Sequence, residues 1–334
     1  MGTYRAITMM TVIDKFLRLW FRPANNKLPD WPNGHDFAFS IVDDTDQSTL
    51  SNIRPIYNLL SELRIFSTKT VWPLATNEPE EIPSTGSSLQ DPEYLDYVLE
   101  LKRHGFEIAL HGVRGGSSTR EEIERGLSEY ERLIGEPPRI HINHYRNLDN
   151  LYWGVDKVDG LVRRLMYRIC RSEPNYGGHD PDSPYFWGDI ALKQIKYMVN
   201  YSFHETNLAN INAMMPYYDP ARKFVNRWFH TSDGGVVDSF NRLLSDDNVE
   251  KLVRQNGVCL IYTHFGKGFC KHDKVNAETE RLLCRLASKN GWFAPASEIL
   301  AFMERNLPDD NISARQRKYV GWRWLIEKLL YGTS

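Results

Sequence analysis

The sequence predicts an α/β fold built on a largely parallel sheet, open or closed into a barrel. Three observations predict it. Short strand-like runs alternate with helical patterns along most of the chain, which is the signature of successive β–α units. The chain has 334 residues, enough for one large α/β domain with insertions or for two smaller domains. Four of the strand-like runs end directly in carboxylates or imidazoles, as expected where parallel strands deliver side chains to one rim.

The strand-like runs are 37–42, 68–74, 106–110, 139–143, 258–263 and 292–294, with 225–230 a weaker seventh. Helical spacing fills the gaps. In 119–134, Ile123, Leu127, Tyr130 and the pair Leu133-Ile134 share one face. Ser118 with Glu121, or Thr119 with Glu122, supplies its capping box, and Gly135 stops it. Segment 276–290 gathers Leu282, Leu283 and Leu286 and halts at Gly291, and 297–306 follows the last strand. Only 148–220 breaks the rhythm; its density of Tyr, Trp, Gly and Pro reads as an elaborated insertion. No internal repeat is apparent.

Composition narrows the function classes. Hydrophobic residues at 41% and charged residues at 25% are those of a globular protein. Lys plus Arg (41) nearly balances Asp plus Glu (43), so no global field draws nucleic acid, and no nucleic-acid motif is present. The four cysteines show no CxxC spacing, which excludes a cysteine zinc site and a disulfide framework. No apolar run is long enough to span a bilayer. Residues 1–21 lack a basic start, an unbroken apolar run and a small-residue cleavage site, so the cytoplasm is the expected location.

The chemistry is expected at the strand ends. Run 37–42 leads into Asp43 and Asp44, 106–110 into His111, 139–143 into His144, and 258–263 into His264. Carboxylate and neutral imidazole together suit zinc or a related divalent metal. An open position on such a metal activates water, a second carboxylate takes its proton, and a histidine across the site protonates the leaving group. Adjacent aspartates inside a strand face opposite ways, but at a strand end both can turn into the site. The plainer reading of Asp43-Asp44 is an acidic pair ahead of the helix near 48–63.

These pieces resemble a known family. Phe39-Ser40-Ile41-Val42-Asp43-Asp44 is similar to the first motif of the polysaccharide deacetylases of NodB homology, carbohydrate esterase family 4, whose strand ends in Thr-Phe-Asp-Asp-Gly. Glu107-Ile108-Ala109-Leu110-His111-Gly112 resembles the start of the second motif, and Leu260-Ile261-Tyr262-Thr263-His264 the last, Leu-x-His. Trp292-Phe293-Ala294-Pro295 with Ser297-Glu298-Ile299-Leu300 resembles the final strand and helix. The resemblance covers roughly 36–306. It implies a distorted (β/α)7 barrel and metal-dependent removal of acetyl groups from sugars, with Asp43 as general base, Asp44 and His111 as metal ligands, and His264 as general acid.

The chain departs from that pattern in three places. Gly115 stands where the family has its second histidine, Thr45 replaces the glycine after the aspartates, and the third motif has no clean match. In its place stands Ile140-His141-Ile142-Asn143-His144, which resembles a divergent branch tied to bacterial surface-glycan synthesis. A metal with two protein ligands binds weakly, so a third is required. His144, ending the next rim strand, is the expected replacement; His141 faces the opposite way and reads as a core residue. His204 and Asp46 are next in line.

Arg114 and Arg146 follow the rim histidines and are candidates to grip substrate; Trp153 is a candidate to stack on a sugar face. Segments 11–20, 158–169 and 316–330 are basic and amphipathic, fit either to dock on the barrel or to lie on a membrane surface. The expected division is an amphipathic extension at 1–35, a barrel at 36–306 with its insertion at about 148–220, and an amphipathic tail at 307–334. The leading expectation is a metal-dependent deacetylase of a sugar or glycan precursor. Its rivals are another metal-dependent hydrolase on the same barrel and a non-catalytic barrel that binds glycan or a partner.

Overall fold

The computed structural model describes residues 2–21, 27–76, 85–160, 164–167, 173–307 and 311–332, with backbone alone at 2–9 and 11. The strands are β1 (Phe37–Asp43), β2 (Thr68–Val71), β3 (Glu107–Leu110), β4 (Ile140–His141), β5 (Tyr197–Phe203), β6 (Arg227–Asp233), β7 (Val258–Thr263), the short hairpin β8 (Cys270–Lys271) and β9 (Lys274–Val275), and β10 (Gly291–Phe293). Strands β1 to β7 pair in chain order, all parallel, and β1 closes on β7 from Ala38–Val258 to Asp43–Thr263. The fold is a closed (β/α)7 barrel with flanking helices.

The distortion lies at β1. Its other edge is divided: residues 37–39 pair with β10, while only Val42 and Asp43 reach β2. Strand β10, one of the expected runs, therefore flanks the barrel instead of completing it. The seventh barrel strand is β5, which lies inside the stretch 148–220 expected as an insertion. A register shift between Val199 and Ser202 disrupts its alternation, which hides the period-2 pattern by which a strand is read.

Strand alternation divides the core. Ala38 and Val42 of β1, Ala109, Ile140, Phe229, Val258 and Leu260 fill the barrel interior. Phe37, Phe39, Ile41, Ile108, Leu110, Cys259 and Ile261 face outward onto helices such as Leu50–Glu62 and Ala277–Ala287. Helix ends follow the sequence signals. Of the two capping boxes, Thr119 with Glu122 forms, the Thr119 amide donating to Glu122 Oε2 at 2.9 Å, and Gly135 takes the left-handed cap at φ 87°.

The terminal segments dock on the barrel and on each other. Helix Ala314–Tyr331 buries Tyr319, Val320, Trp324 and Leu325 against Tyr201 and Phe203 of β5. It also buries charge. Glu327 accepts from His204 and pairs with Arg323, while Lys328 pairs with Asp233 at the end of β6. His204, a reserve metal candidate, is thus held in a docking contact with Glu327. Helix Gly2–Phe21 lies on the C-terminal helix, its Asp14 accepting from Tyr319 at 2.7 Å and facing Arg323 at 3.2 Å. No helix among the described residues is long and apolar enough to cross a membrane.

Candidate metal centre

The alternation that fills the barrel interior also selects what stands at its mouth. Continuing each inward series past the strand end gives Asp44 from β1, Trp72 from β2, His111 from β3, His144 from β4, and Tyr262 and His264 from β7. The structure brings the three histidines around one further residue, Asp46. Its Oδ1 lies 3.2 Å from His111 Nε2 and 3.3 Å from His144 Nε2; its Oδ2 lies 3.3 Å from His264 Nε2 and 3.1 Å from Lys267 Nζ. Among the described residues, Asp46, His111 and His144 form the group able to hold a metal, one donor atom from each lying within 4.8 Å of the others.

Local structure explains the placement. Beyond β1 the Thr45 amide donates to Thr70 Oγ1 at 3.0 Å, and a turn closes from Ser48 N to Thr45 O at 2.9 Å, carrying Asp46 back over the mouth. The 264–268 loop locks that turn from above. A side chain at Gly266 would meet the backbone of residues 46–48 at 2.6–2.7 Å. Below, Gly112 turns the chain after His111 at φ 68°, a conformation glycine adopts without strain. Trp72 stacks on the His111 ring and meets His144 edge-on, with centroids 6.5 and 5.5 Å apart.

Hydrogen bonds set the tautomers. The Asn147 amide nitrogen donates to Gly116 O (2.8 Å) and Arg114 O (3.3 Å), so its oxygen faces His144 Nδ1 at 2.9 Å and must accept. His144 Nδ1 therefore carries the proton, and its Nε2 lone pair points at Asp46. The Gly235 carbonyl holds His264 Nδ1 as a donor in the same way, at 2.8 Å. Such outer partners are what orient metal-binding imidazoles. Burial pulls His111 down to about 4, which keeps it neutral and able to ligate. Burial pushes Asp46 up, but its three imidazole neighbours outweigh that and hold its carboxyl well below the usual range.

The residues fit a divalent metal. Asp46 Oδ1 and His144 Nε2 are buried without a hydrogen-bond partner although 3.3 Å apart, so they face a common point rather than each other. One carboxylate and two imidazoles match the donor set of catalytic divalent sites that keep a position open.

The two expected aspartates part company. Asp43 is the last residue of β1 and belongs to its outward series. It is fully buried against the helix layer, accepting from Tyr57 Oη at 3.0 Å and the Phe265 amide at 2.7 Å, and paired with Lys69 at 3.0 Å. Asp44 faces the mouth, but Asp46, not Asp44, occupies the three-residue group. Asp44 Oδ1 lies 3.7 Å from His111 Nδ1, on the side of the ring away from Asp46, without a hydrogen-bond partner. Burial, then the Asp46 and Asp43 charges, push its carboxyl well above the usual range.

The remaining candidates lie apart from this group. His141 is buried edge-on against Trp187, and burial pulls it down to about 3. Arg114 pairs with Glu122 at 3.3 Å, and Arg146 is exposed beside Tyr145. Trp153 takes the Lys157 ammonium on its face at 3.5 Å, beside Trp324. Sequence reading passed over Trp72, Asn147 and Tyr262; strand parity alone would have found the first and last.

No protein-family model matches the chain, and no curated protein matches it by sequence. Solved structures do. The chain is similar to a protein assigned as a polysaccharide deacetylase from Mycobacterium smegmatis, with 11% identity, a TM-score of 0.50, and 87% of this chain and 98% of that one covered. An allantoinase matches with 13% identity and a TM-score of 0.53, over 85% of this chain and 96% of its own. A protein assigned as a polysaccharide deacetylase from Pseudomonas aeruginosa matches with 12% identity and the same score and coverage. At such identities the likeness establishes a shared fold.

Proposed function

We propose that this protein is a metal-dependent deacetylase, with zinc at Asp46, His111 and His144, acting on a sugar or glycan precursor of surface-polysaccharide synthesis. The observation that carries the reading is the convergence of those three side chains, with unpartnered donor atoms, at the mouth of a (β/α)7 barrel. The deacetylase names of two proteins of this fold support it by analogy.

When bound, the cation supplies Lewis acidity to an acyl carbonyl and to water. The chain's own residues do the rest. Asp44, its unpartnered Oδ1 3.7 Å from His111 Nδ1, takes the proton of the attacking water. His264 presents Nε2 from the opposite strand and gives a proton to the leaving nitrogen or oxygen as the acyl bond breaks. Asp43 holds the 264–268 loop through the Phe265 amide and so positions His264. Arg114, Arg146 and Trp153 remain proposed substrate contacts.

The test is acetate release from N- and O-acetylated sugars, free, nucleotide-linked and lipid-linked, by zinc-loaded protein. We expect release that a chelator stops and zinc restores. Protein that binds no metal would support the non-catalytic barrel instead. Metal without acetate release would support a different hydrolase.

We also propose that the protein works on the cytoplasmic face of a membrane, at an anionic lipid surface. Helix Gly2–Phe21 docks through Ile13, Leu17 and Phe21, which leaves Val12, Phe16, Leu19 and Trp20 between 62% and 77% exposed. That face carries the exposed Lys15, while Asp14 is turned onto the C-terminal helix. Apolar side chains with a cation and no acid suit an anionic interface. The protein should float with phosphatidylglycerol vesicles at low salt, and the double variant Phe16→Asp, Trp20→Ala should not. Wild-type protein left in the soluble fraction would sink the idea.

A further inference from the structure

We propose that the Tyr262 hydroxyl is a catalytic hydrogen-bond donor to the substrate's acyl oxygen, an assignment that rests on the deacetylase reading above. Tyr262 follows Leu260 and precedes His264 in the inward series of β7, so its ring stands in the mouth and not in the helix layer. The ring is partly exposed, unlike Leu260 beneath it, and therefore borders open space at the centre. Its Oη lies 3.2 Å from His264 Nε2, and the two rings meet edge-on with centroids 5.0 Å apart.

The direction of that hydrogen bond follows from the other side of the imidazole. His264 Nδ1 donates to the Gly235 carbonyl, which leaves Nε2 to accept from the Tyr262 hydroxyl. The phenol hydrogen turns about the C–O bond, so it can swing from Nε2 to a substrate oxygen that enters the mouth. The acceptor that develops there is the acyl oxygen, which gains charge as water adds and the carbonyl π bond breaks. A phenol already placed beside it stabilises that charge, and its hydrogen returns to Nε2 once the products leave.

The test compares wild type with Tyr262→Phe, both zinc-loaded. The variant keeps the ring, so zinc content and KM should stay unchanged while kcat falls about 10²-fold, the cost of losing one such donor. Acetate, whose oxygen mimics the acyl oxygen, is titrated calorimetrically as a second probe. It should bind the variant about tenfold more weakly, the worth of one hydrogen bond to a charged group. A wild type that releases no acetate from any acetylated sugar would defeat the deacetylase reading, and the titration would still decide on Tyr262. Equal acetate affinity in the two proteins, or none in the wild type, overturns the proposal. So does an unchanged kcat in the variant.

Discussion

His144→Ala should leave the purified protein with almost no bound metal and no measurable turnover, while the fold persists. The proposed site has three donors, Asp46 Oδ1, His111 Nε2 and His144 Nε2. Removing one leaves a two-ligand site of the kind that does not retain zinc against buffer. The loss should exceed the roughly 10- to 100-fold in affinity that an outer partner contributes. Asn147→Ala tests that lesser figure in the same protein, because Asn147 fixes the His144 tautomer without being placed to bind the ion. Asp46→Asn should behave like His144→Ala. His141→Ala, altering a ring packed on Trp187, should keep its metal and lose stability alone. Elemental analysis after gel filtration gives the answer, and a full metal complement in His144→Ala would move the site elsewhere.

The same residues show how far the sequence could be read. The runs that became β1, β3, β4 and β7 were legible because their apolar character stops abruptly at a carboxylate or an imidazole. His144 was legible as a partner of His111 because parity along a strand is a rule of geometry and survives without homologues. Parity also bears on Asp43 and Asp44: β1 runs in register with Thr263 as far as Asp43, so adjacent side chains still face opposite ways there. Motif resemblance pointed to both aspartates, and alternation separates them. Asp46 lay beyond reach because it sits in a turn, where no periodicity tells where a side chain points. Its position depends on Thr70 and Gly266, residues 24 and 220 positions away in sequence. Strand β5 was hidden by its register shift. The C-terminal helix read as an amphipathic tail because Trp322, Leu325, Ile326 and Leu329 form a stripe, yet its polar Arg323 and Glu327 are buried as well. Charges that find partners only in the folded chain look like solvated charges in a sequence.

Asp44→Asn and Asp43→Asn should separate the proposed catalytic carboxylate from the structural one. Both residues are buried, so burial does not distinguish them. Their partners do. Each Asp43 oxygen is engaged, by Tyr57, the Phe265 amide and the fully buried Lys69. Neutralising Asp43 strands the Lys69 ammonium, whose remaining described contact is Ser48 Oγ at 3.2 Å. Breaking a buried ion pair from one side costs about 3–5 kcal/mol, so urea unfolding of Asp43→Asn should show a clearly lowered midpoint. Asp44 Oδ1 has no hydrogen-bond partner to lose. Asp44→Asn should therefore unfold close to wild type, and it should keep its zinc because Asp46 is the proposed carboxylate ligand. Its turnover should nonetheless fall about 10²- to 10⁴-fold, since the group that takes the proton from water is gone. Substrate affinity need not change, because the loss lies in the proton transfer. The comparison belongs at a temperature and urea concentration where both variants are folded, checked by circular dichroism and zinc content. A folded, zinc-loaded Asp43→Asn that is inactive beside a fully active Asp44→Asn would return the general base to Asp43, and parity along β1 would then have misassigned the pair.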